Sequence, residues 1–331
     1  MKNGINRFTY FLDQLQALLT KASKQQNPAL WLYKNNARTP LFMLEALAKL
    51  YSGLHNKKKF TKLDEQFKLL EDILGAIDYY DIFAKEFSAN KNIPATITGY
   101  LQAQTREKIQ SLNEALKEHQ WIGAENKRMD KIRKSLQGAD WKKEDREIKK
   151  IKEFYDKATG EIIGFIGKTN FHFANVESGV HELRRKLRWL SIYPQALRGC
   201  IQLGKAKAPP KYLAKYLTKE IVTSPFNKMP DAADNKSFLL LEQNYFYALS
   251  WMIDQLGKLK DSGLRVIAIK EALQQLGTIS NAAAIKKAYT YLGAGQPRLK
   301  QILDNADAIC KTYCKEQCLP KLVIGTAKPV K

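Results

Sequence analysis

Residues 181–188 read His181-Glu182-Leu183-Arg184-Arg185-Lys186-Leu187-Arg188. On a helix, residues three, four and seven apart share a face. His181, Arg184, Arg185 and Arg188 then form one cationic ridge, with Leu183, Leu187 and Leu190 as an apolar ridge beside it. That spacing predicts an amphipathic helix on a core. Arginine cannot shed its proton to relieve crowding, since its pKa lies above about 12. Phosphate would relieve it, because each guanidinium can fork two oxygens. The competing reading is a surface helix whose arginines pair with carboxylates elsewhere in the fold.

The same period extends in both directions, and an all-α fold is expected. Ile5, Phe8, Leu12, Leu15 and Leu19 make a first stripe. A second helix is expected from Thr39-Pro40 to Leu54, since Thr caps well and Pro suits a first turn. A long helix carries Leu63, Phe67, Leu70, Leu74 and Ile77, and another begins at Pro94. Residues 127–152 read as two charged, solvated helices flanking Gly138. Residues 159–179 are β-branched and punctuated by glycine, which predicts a linker or short hairpin. This divides the chain into an N-terminal helical repeat with a charged extension (1–158), the linker (159–179), a C-terminal repeat (180–318) and a loose tail (319–331). Pro209-Pro210 is expected to open a basic helix with Lys211, Lys215 and Lys219 on one stripe. Further helices are expected at 238–260, 264–276, 281–292 and 298–316.

The chain of 331 residues carries 55 Lys+Arg against 33 Asp+Glu, a formal charge of +22. Such an excess repels itself, and an anionic partner relieves it. Hydrophobic residues make up 44%, which excludes a disordered chain. The four cysteines are too few to staple this length. No secretory signal and no run of about 18 apolar residues is seen, so a cytoplasmic location is expected.

His181-x-x-Arg184-x-x-x-Arg188 resembles the signature of the conserved-histidine α-helical (CHAD) domain family. In that family two helical repeats each begin with a basic His-x-x-Arg helix and later carry a Leu-Gly-x-x-x-Asp type motif. In the first half, Asn35-Asn36-Ala37-Arg38 falls at the His-x-x-Arg position, with Asn35 replacing the histidine. Phe42 and Met43 replace basic residues, and Lys49 precedes Leu50-Tyr51. Leu74-Gly75-Ala76-Ile77 resembles the second motif. In the second half, Trp189 and Ser191 stand where the family keeps basic residues, and Leu256-Gly257-Lys258-Leu259-Lys260-Asp261 resembles the second motif. Arg38 and Gly75 are 37 residues apart, whereas Arg184 and Gly257 are 73 apart. An insertion within Lys205 to Lys236 accounts for the difference. The resemblance covers residues 30–316. It implies two helical-bundle repeats related by a pseudo-twofold, and inorganic polyphosphate bound in a basic groove between them. The residues it implies as ligands are Lys34, Arg38, Lys49, His181, Arg184, Arg185 and Arg188, with Lys211, Lys215 and Lys219 as an extension of the track.

No catalytic role, cofactor or metal is expected. Cys310, Cys314 and Cys318 are spaced for one helix face, and the outer pair is separated by about 12 Å of rise, too far for a shared ion. Glu71, Asp72, Asp78 and Asp81 read as caps or ion-pair partners. No Walker, Rossmann, Gly-x-Ser-x-Gly or His-Glu-x-x-His pattern occurs. Two alternatives stay open on the residues alone. One is a nucleic-acid binder, in which Tyr212, Tyr216 and Trp141 stack on bases. The other is a divergent scaffold that has lost polyphosphate. An enzyme acting on phosphorylated substrates is favoured only by the clustered Arg and His.

Overall fold

The computed structural model describes residues 3–123, 127–204, 208–232 and 235–328. The ends of the expected insertion, at 205–207 and 233–234, and the last three residues of the tail lie outside them. The described residues form twelve α-helices and a small three-stranded sheet. The stripe of α1 (Asn3–Ala22) buries Phe8, Leu12, Leu15 and Leu19. Asn27 caps α2 (Pro28–Lys34) through its side chain. Next come α3 (Arg38–Leu54), the long α4 (Lys57–Ser88) and α5 (Ala95–Glu118). The charged region folds as α6 (Lys127–Gln137) and α7 (Glu144–Lys168). A π-helical turn (Val176–His181), capped by Asn175, leads into α8 (Glu182–Ala196).

After α8 come β1 (Ile201–Gly204), a 3-10 turn (Lys211–Tyr216), the short α9 (Lys219–Val222) and a second 3-10 turn (Pro225–Asn227). Then follow β2 (Phe238–Glu242), α10 (Gln243–Leu276), α11 (Asn281–Leu292), α12 (Leu299–Lys315) and β3 (Val323–Ala327). β2 lies in the middle of the sheet, parallel to β1 and antiparallel to β3. α3 packs on α4, α8 packs on α10, and α3 and α8 pack on each other.

The main core runs from Phe8 to Leu322 and takes side chains from both halves of the chain. A second core joins Phe83, Phe87, Ile97 and Leu101 to Leu264, Ile269 and Ala272. α10 contributes to both. Inside the main core Arg7 and Glu147, 4% and 2% exposed, pair at 2.8 Å. The Tyr51 hydroxyl accepts from Arg7 and donates to Glu147, each at 2.7 Å. Each charge in this buried group is therefore paired and hydrogen-bonded, and α1, α3 and α7 are tied together.

Six expectations need correction. Residues 159–168 form neither linker nor hairpin but the last turns of α7. Thr159, Ile162 and Ile166 repeat at helical spacing and are buried, while nothing lies within 4 Å of a side chain built at Gly160, Gly164 or Gly167. The glycines mark the solvated face of a helix. Lys211, Lys215 and Lys219 share no helical stripe, because Leu217-Thr218 separates the 3-10 turn from α9. Residues 238–242 are a strand: Leu239 and Leu241 are buried and alternate with half-buried neighbours, a period of two. Beyond that strand the helices expected at 238–260 and 264–276 are one, α10, with buried Gly263 and Leu264 carrying it through the expected break. The tail is anchored by buried Leu319 and Leu322 and adds β3 to the sheet; Cys318 lies past the end of α12.

Candidate functional site

α8 presents its cations as its apolar face dictates. Leu183, Leu187 and Leu190 are buried, and the arginines leave that face on either side: Arg184 lies over α10, at the Ile253 carbonyl and Gly257, and Arg188 over Phe42 of α3. Arg38 stands at the start of α3. These three arginines, with Phe42 and Ile192, line two adjoining clefts of about 390 and 1090 Å³. The smaller is the basic lobe. It brings together Arg38 and Lys49 from the first half with His181, Arg184, Arg185 and Arg188 from the second. Seven Lys and Arg side chains line it against four carboxylates.

The cations differ in how far they are already satisfied. Arg38 Nε donates to Glu71 at 2.7 Å and its Nη1 to Asp78 at 3.1 Å. Lys49 is held by Glu45 at 2.7 Å and Asp64 at 3.1 Å. Burial works to lower the Lys49 pKa, but those two carboxylates outweigh it and raise it. Arg185 and Lys186 both pair with Glu182. His181 Nδ1 lies 2.7 Å from Glu177. Arg184 has no ion pair among the described residues; its Nε donates to the Ile253 carbonyl at 3.1 Å. Burial lowers its pKa against the pull of Asp261 and Asp254.

Arg188 stands apart. Its side chain makes no ion pair or hydrogen bond among the described residues and rests over the Phe42 ring at 4.5 Å. Burial, then Arg184 and Arg38, push its pKa down to about 10. An anion beside such a guanidinium would restore what burial and like charge remove.

The aromatic replacements in the motif also have a role. Phe42 lies under both Arg188 and Arg38, the latter at 5.1 Å, and Trp189 lies under Lys49 at 5.0 Å. Rings stand where cations were expected, and they hold other cations by their faces. In each half an arginine also crosses a helix at a glycine. A Cβ on Gly75 of α4 would come within 2.8 Å of Arg38 Nη2, and one on Gly257 of α10 within 3.0 Å of Arg184 Nε.

The remaining expected ligands lie elsewhere. Lys34 ends α2, exposed and outside both lobes. Lys211, Lys215 and Lys219 line neither lobe, and Lys215 pairs with Glu316 at 2.6 Å. Asp72 and Asp81 pair with Lys68 and Lys85. Among the described residues no three His, Cys, Asp or Glu side chains are grouped to hold a metal. Burial pushes the Cys318 thiol up to about 12 and raises Cys310 and Cys314 as well. No helix of the described residues is long and apolar enough to cross a membrane. No family model, curated protein or solved structure matches the chain.

Proposed function

We propose that the chain binds a phosphate polyanion, inorganic polyphosphate, along the basic lobe between α3 and α8, as a divergent relative of the CHAD family. The observation that carries this is Arg188: half-buried, without an acidic partner, and flanked by Arg184 and Arg38 in a concave lobe. The paired crossings of Arg38 over Gly75 and Arg184 over Gly257 support the two-repeat reading. They place an arginine from each half at the same lobe. Arg184 and Arg188 supply the free charge, while Arg38 and Lys49 are already neutralised and shape the wall.

Phosphate oxygens suit this site because each guanidinium can donate two parallel hydrogen bonds. Nucleic acid remains the rival polyanion, but of the three aromatic residues expected to stack on bases only Tyr212 is exposed, its hydroxyl 2.7 Å from that of Tyr245. Trp141 is buried with its indole N–H donating to the Leu136 carbonyl, and Tyr216 is buried against Glu316. Competition separates the two. Polyphosphate should displace a bound single-stranded oligonucleotide, and the oligonucleotide should fail to displace polyphosphate. The reverse order would make nucleic acid the ligand.

A further inference from the structure

The lobe beyond the arginine row is built differently from the basic one. At about 1090 Å³ it is nearly three times as large. Its outer wall, Thr218 to Asn227, comes from the stretch of short turns between β1 and β2. That wall is fastened in place. Gln195 Nε2 donates to the Lys228 carbonyl at 2.9 Å, and Ser250 Oγ donates to Asn227 Oδ1 at 2.5 Å.

The charges there do not suit a second run of phosphates. Away from the shared arginines, Asp78, Glu220, Asp254 and Asp261 face Lys258 and Lys260. Both lysines are spent, on Asp254 at 2.7 Å and on Asp261 at 2.6 Å. Asp78 is likewise paired with Arg38, so a polyanion continuing into this lobe would meet neutralised pairs, the Glu220 carboxylate and no free cation. The apolar lining offers ring faces instead. Trp251 is half-buried and braced edge-on by Tyr216 at 4.9 Å, and Phe226 is 81% exposed.

We propose that the two lobes together take a nucleoside polyphosphate. The phosphate tail lies on Arg184 and Arg188. The nucleoside fills the larger lobe, its base on the aromatic side formed by Trp251 and Phe226. Carboxylates such as Asp254 and Asp261 accept from ribose hydroxyls and base amino groups, which a bare phosphate chain does not have. This rests on the reading of the arginine row as a phosphate site.

The test compares ATP with inorganic triphosphate, two linear triphosphates, by calorimetry in magnesium-free, low-salt buffer. The wild type should bind ATP about tenfold more tightly, the scale of one base stacked on an aromatic ring. Trp251→Ala and Phe226→Ala should each reduce that advantage and leave triphosphate affinity unchanged. Trp251 packs on Tyr216 and its removal can cost the fold; exposed Phe226 carries the test in that event. Equal affinity for the two ligands, or an advantage undiminished in Phe226→Ala, overturns the nucleoside lobe and leaves the phosphate site standing. Binding of neither ligand overturns the phosphate site, and the nucleoside lobe with it.

Discussion

Arg188 shows how a single side chain can carry function at the expense of stability. Its charge is half-buried beside two like charges, with only the Phe42 face beneath it. Replacing it with an apolar chain of similar length removes that repulsion and keeps the packing. Arg188→Met should therefore raise the stability of the free protein by about 1 kcal/mol, as functional-site substitutions often do, while weakening phosphate binding. Thermal melts of both proteins, with and without polyphosphate, measure the two effects; a destabilised variant would mean that Arg188 is a structural residue. His181 belongs to a different balance. The Glu177 carboxyl is held below its ordinary range, chiefly by its hydrogen bond with His181. A carboxyl with a depressed folded pKa stabilises the native state above its ordinary pKa and loses that contribution as pH falls through the folded value. The stability gap between wild type and Glu177→Gln should be open near pH 6 and close below about pH 4. Urea melts across that range check it, and a gap that widens in acid contradicts the assignment.

At the scale of elements, the arginine-over-glycine crossings set how closely α3 approaches α4 and α8 approaches α10. Alanine at Gly75 favours the helix by about 1 kcal/mol. Its Cβ, however, meets the Arg38 guanidinium at 2.8 Å, and that group is fixed on buried Glu71. Freeing a buried carboxylate from its partner costs more than the helix gains. Gly75→Ala should thus lower stability by about 1 kcal/mol net, read from denaturant midpoints; a stabilised variant would show the crossing to be slack. Most helices were legible because their apolar stripes are long. α3, α11 and α12 lie within a residue or so of their expected bounds. Where the stripe is short, local pattern misleads. Gly160-Glu161-Ile162-Ile163-Gly164 looks β-like until Ile162 and Ile166 are seen to share a buried face with Tyr155 and Thr159. The strands were missed for the opposite reason. β2 and β3 hold five residues each, and their alternation becomes meaningful only once a partner lies alongside.

Across the whole molecule, the sequence motif found the row Arg38, Arg184 and Arg188 although the first two are 146 positions apart. What the motif could not reveal is which charges are free. Arg38 and Lys49 read as ligands, but Glu71 and Asp78, which hold Arg38, and Asp64, which holds Lys49 together with Glu45 of the preceding turn, come from α4, and only the packed fold brings those three acids to them. The larger lobe was equally hidden, because its wall comes from irregular turns without a periodic signal. The net charge of +22 speaks to long-range attraction, whereas the lobe decides where a phosphate chain rests. The two contributions separate by salt, since screening weakens both but only the site depends on two particular arginines. The most direct measurement is calorimetry of long-chain polyphosphate with wild type and Arg184→Ala/Arg188→Ala at about 50 and 200 mM salt. The account predicts tight binding to the wild type, weakened about tenfold or more at the higher salt, and loss of that binding in the double variant. Equal binding by wild type and double variant, or none to either protein at low salt, would contradict it.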